Sequence, residues 1–283
     1  MKKLFRTTLA LVGAGTLLVG CTSTASNTTT VNNENLSGNN DPAEKEVVEV
    51  EAEETTYDKI LKDGYITFAT EGTYAPYSFH NDAGDLVGFD VEIAQAVAEK
   101  LGMKLEIKDM EFNSLISAVQ GGSIDIALAG MTVTDERKES VNFSDTYAKG
   151  VQVVIVKADS AIATVDDLDG KTIGVQAGTT GDIYCTDDYG QENVKQFNNG
   201  ALAIQALLNG QVDCVVIDNE PAKAFVAANE GLAILDTSYA DEDYAAAIAK
   251  ENTELLDSFN KALAELKADG TIDKIVEKYI NAD

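Results

Sequence analysis

The chain is 283 residues long and sets 48 acidic side chains against 21 lysines and arginines, a formal net charge of -27. That balance excludes nucleic-acid binding, which needs clustered Lys and Arg, and argues against peripheral attachment to anionic lipid. The single histidine, His80, sits beside the turn Asn81-Asp82-Ala83-Gly84, and no zinc, calcium-loop or phosphate-loop spacing occurs, so no catalytic residue, metal or cofactor is expected.

Lys2, Lys3 and Arg6 precede an apolar run from Leu9 to Val19 that is too short to span a bilayer, the pattern of a secretory signal over residues 1–20. The run leads into Leu18-Val19-Gly20-Cys21, which resembles a bacterial lipobox. The resemblance implies cleavage before Cys21 and a diacylglycerol on its thiol, and two or more acyl chains suffice for stable anchoring. Residues 21–56 continue as Ser, Thr and Asn up to Asn40, then as carboxylates spaced by Val and Ala from Asp41 to Glu54. Such composition buries too little apolar surface to offset ordering entropy and predicts a disordered acidic tether. Of the remaining cysteines, Cys185 and Cys214, the second lies in an apolar strand pattern, which favours two free thiols over a bridge.

From Tyr57 onward short apolar runs alternate with helical patterns. Strands are expected at Tyr65–Ala69, Leu86–Gly88, Leu105–Lys108 and Ile124–Ala127. Asp90 reads as the N-cap of a helix whose Ala94, Val97, Ala98 and Leu101 share one face and whose stop is Gly102. Ser114–Gln120 is a helix, and Thr134 caps a short one with Asp135 and Glu136 in its first turn. A second set of strands is expected at Val151–Lys157, Lys171–Val175, Val194–Phe197, Cys214–Ile217 and Leu232–Leu235. Between them come a turn of helix at Val165–Leu168 and helices after Thr180, at Ala201–Leu208 and from Asn219 or Glu220 through Ala228. A late strand at Tyr244–Ala249 and helices at Thr253–Ala268 and Ile272–Tyr279 close the chain. This alternation predicts an α/β fold of two lobes with mostly parallel sheets, and places ligands beyond the carboxyl ends of the strands.

The residues after those strands carry a resemblance. Gly88-Phe89-Asp90-Val91-Glu92-Ile93-Ala94, then Ala129-Gly130-Met131-Thr132-Val133-Thr134-Asp135-Glu136-Arg137, then Gly174-Val175-Gln176-Ala177-Gly178-Thr179-Thr180 occur in that order. With the lipobox upstream, the chain from about Tyr65 to Tyr279 resembles the polar amino-acid substrate-binding lipoproteins of ABC importers, in the branch that binds arginine, lysine, histidine or glutamine. The fold that this implies is the type II periplasmic-binding-protein fold, two lobes joined by two hinge crossings. The resemblance also assigns roles. Arg137 would hold the ligand carboxylate with its planar fork, helped by Thr132 and by backbone N–H groups near Thr180, where a helix begins. Asp218 would pair with the ammonium, and the Gly130 carbonyl would accept a further bond. Taken alone, Arg137 reads as a surface partner of Asp135 or Glu136, and Asp218 as an ordinary helix N-cap.

The side-chain pocket would be formed by Glu71, Tyr74, Phe112 and Gln176, although both aromatics suit a core equally well. Two ring faces and a carboxylate fit a guanidinium or ammonium. Gln176 replaces the lysine of glutamine-specific relatives, and Glu71 the aspartate of many others, so arginine is expected first and lysine second, with glutamine, cystine or histidine as alternatives. Crossings near Tyr147–Gly150 and Asp243–Ala246 would divide residues 57–147 plus 244–283 from 148–243. A monomer is expected, held by lipid on the outer face of a bacterial, Gram-positive cell membrane. A separate permease and ATPase would be its partners, since neither a membrane helix nor a nucleotide motif occurs here. A sensor or adhesin would bind the same solute, and a dehydratase could use Glu71 as an acid or base.

Overall fold

The computed structural model describes residues 55–236 and 238–281. The signal, Cys21 and the tether before Thr55 lie outside the described residues. The first helix, α1 (Thr56–Asp63), opens on a capping box between Thr55 and Asp58 and closes on Gly64 at φ 72°. Thr56 is thus helical, which corrects the expected tether boundary: the reciprocal Thr55–Asp58 bonds outweigh a composition that otherwise favours an unordered chain.

Next come β1 (Tyr65–Thr70), β2 (Thr73–Tyr74), β3 (Ser78–His80), β4 (Leu86–Val87), α2 (Phe89–Leu101), β5 (Lys104–Asp109), α3 (Leu115–Gln120), β6 (Ile126–Ala127), α4 (Asp135–Ser140) and β7 (Asn142–Phe143). The chain continues through β8 (Ala148–Lys157), β9 (Ile173–Gln176), α5 (Thr180–Tyr189), β10 (Val194–Phe197), α6 (Gly200–Leu208), β11 (Cys214–Asp218), α7 (Asn219–Ala228) and β12 (Leu232–Ile234). It ends with β13 (Ala240–Tyr244), β14 (Ala247–Ile248), α8 (Thr253–Ala268) and α9 (Thr271–Tyr279).

One sheet has the order β5-β1-β6-β14-β7, the second β10-β9-β11-β8-β12 with β13 also on β8, and β2-β3-β4 form a small third. The parallel centres are β5-β1-β6 and β10-β9-β11. Every residue of β9 and β11 is buried, as expected of strands covered on both faces. The expectation of mostly parallel sheets holds only there, because β8 runs antiparallel to β11, β12 and β13, and β14 antiparallel to β6 and β7. On the first sheet α2 packs against α8 and α9, and the Phe68 and Phe259 rings meet at 6.4 Å within one core cluster.

Two expectations are corrected. The strand expected at Tyr244–Ala249 is two strands, β13 in the second sheet and β14 in the first. Between them Ala245 donates to the Met131 carbonyl and Ala246 to Ser144 Oγ, so the ladder partners change as the chain passes from one sheet to the other. Asp90 is not an N-cap; Gly88 stands there at φ 136°, where a side chain would collide with the Tyr77 carbonyl. Backbone carbonyls of Pro76 and Tyr77 satisfy the first helical N–H groups. That frees the buried Asp90 carboxylate to accept from the Gly130 N–H at 2.7 Å. Cys185 and Cys214 are both buried free thiols, and burial pushes Cys214 up to about 12.

Candidate functional site

Glu71, Tyr74, Phe112, Gly130, Thr132, Arg137, Gln176, Thr180 and Asp218 line a single cavity, together with Thr179. The loops after the strands bring them there. Glu71 comes directly after β1, Gln176 ends β9 and Asp218 ends β11, while Thr132 and Arg137 lie between β6 and the first turns of α4.

Arg137 is 6% exposed, which rules out the surface ion pair with Asp135 or Glu136. Thr134 caps α4 by accepting from the Arg137 N–H at 3.1 Å, which aims the side chain inward. Its Nη1 donates to the Thr132 carbonyl at 2.8 Å and its Nη2 to the Gly178 carbonyl at 2.9 Å, with the guanidinium carbon 5.3 Å from the Phe112 ring centroid. Burial lowers its pKa below the ordinary guanidinium value, opposed by the field of Glu242 and Asp218. Thr180 opens α5, so the N-terminus of that helix lies at the cavity wall with Arg137, an arrangement that suits an anion.

At the other end Asp218 makes no capping bond to α7. Its carboxylate instead accepts from the hydroxyls of Tyr74 and Tyr244, and burial raises its pKa against those two donors. Tyr74 stacks on Tyr77 with ring centroids 5.7 Å apart, and Tyr77 meets Tyr244 edge-on at 5.5 Å. Gly130 adopts φ 55°; a Cβ there would stand 3.1 Å from the Tyr74 ring. Its N–H is held by Asp90 and by the Tyr147 hydroxyl.

Glu71 forms a third charged corner. It accepts from the Thr73 hydroxyl and from Gln176 Nε2, the latter at 2.6 Å, while its own backbone carbonyl accepts from Ser78 Oγ at 2.6 Å. Burial raises its pKa, the two side-chain donors pull it back, and Asp109 and Glu111 add to the rise. His80 is exposed, as its turn implied, and bonds Asp109 at 2.8 Å. Sequence reasoning missed Thr179, Tyr244, Gln152 and Glu242. Glu242 and Tyr244 fall on one buried face of β13, but the string Ala-Asp-Glu-Asp-Tyr carries no apolar alternation that could have signalled a strand.

A fixed guanidinium facing a carboxylate across a cleft between two α/β sheets is the equipment of a binding protein for small zwitterions. The chain matches the model of the bacterial extracellular solute-binding proteins, family 3, over residues 66–282, and it belongs to that family. It is 32% identical to the L-cystine-binding protein TcyJ of Escherichia coli K12, covering 82% of this chain and 88% of that protein. It is 33% identical to the arginine-binding extracellular protein ArtP of Bacillus subtilis, covering 77% and 87%. Among solved structures it superposes on a mutant of ArgBP from T. maritima with a TM-score of 0.76 and 40% identity, covering 79% and 98%. The fold is therefore the two-lobe type II periplasmic-binding architecture, and the chain is a solute-binding protein rather than an enzyme. Among the described residues no helix is long and apolar enough to cross a membrane.

Proposed function

We propose that the protein captures a polar amino acid, arginine first, outside the cell and delivers it to the permease and ATPase of an ABC importer. One observation carries this reading: the cavity presents a buried guanidinium at one end, a buried carboxylate at the other, and a second carboxylate, Glu71, where a ligand side chain would extend. Arg137 takes the ligand carboxylate with Thr132 and the N-terminus of α5, Asp218 and the Gly130 carbonyl take its ammonium, and Glu71 with Gln176 takes a guanidinium between the Tyr74 and Phe112 rings. The names of ArtP and ArgBP support arginine.

The lobes of this reading are residues 57–147 plus 244–283 and residues 148–243. Their two crossings run side by side where Ala148 pairs with Tyr244, a suitable hinge. Asp218 and Gln176 lie on one lobe, Arg137 and Glu71 on the other, so a ligand that bonds both carries differential affinity for the closed cleft. A lipid on Cys21 would hold a monomer at the outer face of a Gram-positive cell membrane.

The test is calorimetric titration with arginine of the wild type and of Glu71→Gln. Loss of a charge-assisted hydrogen bond, about 1.5–3 kcal/mol, should weaken arginine roughly 10- to 150-fold. Unchanged arginine affinity in Glu71→Gln would sink the cationic pocket. A second reading, glutamine or cystine, draws on the name of TcyJ and on the burial that raises the pKa of Glu71 and so disfavours its charged form. Under it, Glu71→Gln keeps glutamine or cystine bound and arginine never binds.

A further inference from the structure

Behind Asp218 lies a second buried carboxyl, Glu242, to which ligand capture assigns no part. Glu242 sits on β13 opposite Gly150 of β8, and it is as buried as Asp218, each at 6% exposure. Its Oε2 accepts from Gln152 Nε2 at 2.9 Å, and the same amide lies 3.4 Å from Thr180 Oγ1. The Glu242 carboxyl lies beside that of Asp218 and also faces the Thr180 hydroxyl, while Glu242 Oε1 and Gln152 Oε1 accept no hydrogen bond. Arg137 is the cation whose charge both carboxyls feel, and the Tyr74 and Tyr244 hydroxyls face the pair from β2 and from β13 itself. Two buried carboxylates against one guanidinium, which the ligand carboxylate is to engage, cannot both stay ionised cheaply. An unpartnered oxygen beside a carboxylate is also where a carboxylic proton would go.

We propose that Glu242 is a positioning residue for the amino end of the site: in the closed cleft its carboxyl keeps a proton and donates it to Asp218, so that one net negative charge, held in a fixed orientation, meets the ligand ammonium. This rests on the reading of Asp218 as the ammonium partner. Tyr74 and Arg137, carried by the first sheet's loops, cover the pair, so cleft opening lets water reach it and the proton is released. Burial with Asp218 raises Glu242 to about 8 in the closed form, above a hydrated carboxyl. Closure therefore takes up a proton, and the stabilisation is complete below the ordinary carboxylate range and lost as pH rises through about 8. The ligand ammonium lowers that upper limit, and the capture of Arg137 by the ligand carboxylate raises it.

The experiment is arginine titration from pH 6 to pH 9 of the full chain as wild type, Glu242→Gln and Glu242→Ala, together with ¹³C-carboxyl NMR of the glutamates. In the wild type affinity should fall about tenfold per pH unit towards pH 8 and then level. Glu242→Ala, with no donor, should bind at least tenfold more weakly at pH 6. Glu242→Gln should recover most of that loss, because its amide donates to Asp218 at every pH, and should lose the pH-dependent fall. The ratio of wild type to Glu242→Gln removes the titration of arginine itself. Parallel profiles in wild type and Glu242→Gln, or a Gln variant as weak as the Ala variant, would overturn the proposal while leaving arginine binding intact. If wild type binds no arginine at any pH, the arginine reading fails instead and the NMR decides for Glu242. One glutamate carboxyl titrating well above the rest and absent from Glu242→Gln supports it; all titrating in the ordinary range overturns it.

Discussion

Arg137→Ala should abolish measurable amino-acid binding while leaving the fold intact. Truncating one partner of a buried, hydrogen-bonded charge pair costs about 2–5 kcal/mol, a loss on the order of 30- to 5000-fold in affinity. The side chain has two tasks, because Nη1 and Nη2 also hold the carbonyls of Thr132 and Gly178 on opposite walls of the cavity. The variant therefore loses both the ligand's anion partner and a link across the cleft. No buried carboxylate accepts a hydrogen bond from Arg137 among the described residues, so stability should change far less than binding. Arg137→Lys should not restore binding: an ammonium is a point charge and cannot reach two carbonyls and a two-oxygen anion at once. Calorimetry reads the affinity, and circular dichroism confirms the fold.

The second large effect is steric and reaches the site through Tyr244. At Gly150 an added Cβ would run into the phenol of Tyr244, whose ring is fully buried between Tyr77 and Asp218. Gly150→Ala must push that ring away, and its hydroxyl leaves the Asp218 carboxylate. Overpacking of this kind costs about 1–3 kcal/mol of stability, and a lost hydrogen bond to a charged group adds about 1.5–3 kcal/mol against binding. We expect a lower unfolding midpoint and at least tenfold weaker binding. Gly64→Ala is the control: φ is 72° but no atom lies within 4 Å, so it should lower stability through backbone strain alone and leave affinity unchanged. Equal affinity in wild type and Gly150→Ala would mean that Tyr244 does not orient Asp218.

The outline of the site was legible because the fold places binding residues directly after strands, and the strands of the parallel centres are short and apolar. The apolar runs at Cys214–Ile217 and Lys171–Val175 read as strands, and Asp218 and Gln176 just beyond those runs line the cavity. Arg137 was ambiguous on its own, since Asp135 and Glu136 offer a plausible surface partner; only its burial decides the matter. Asp218 was ambiguous in the same way and was decided by its bonds to two tyrosines instead of to α7.

The features that stayed hidden depend on long-range pairing. Residues 240–244 read Ala-Asp-Glu-Asp-Tyr, a string with no apolar alternation, yet they form β13 because β8 supplies a ladder from Ala148 to Gln152. Glu242 and Tyr244 enter the site through that pairing alone. Asp90 failed in the opposite sense: it has the residue type of a cap, but the backbone carbonyls of Pro76 and Tyr77 had already satisfied the helix. The two-residue strands β2 and β4 and the break between β13 and β14 carry too few residues for any period to show.

The most direct measurement is the thermal unfolding midpoint of the purified protein, refolded once to strip any co-purified solute, against each of the twenty amino acids and cystine. A ligand at ~100 times its dissociation constant should add about 2.7 kcal/mol to stability, a clear rise in midpoint. Arginine should give the largest rise, lysine a smaller one and acidic amino acids none. A midpoint that no amino acid moves would contradict amino-acid capture outright.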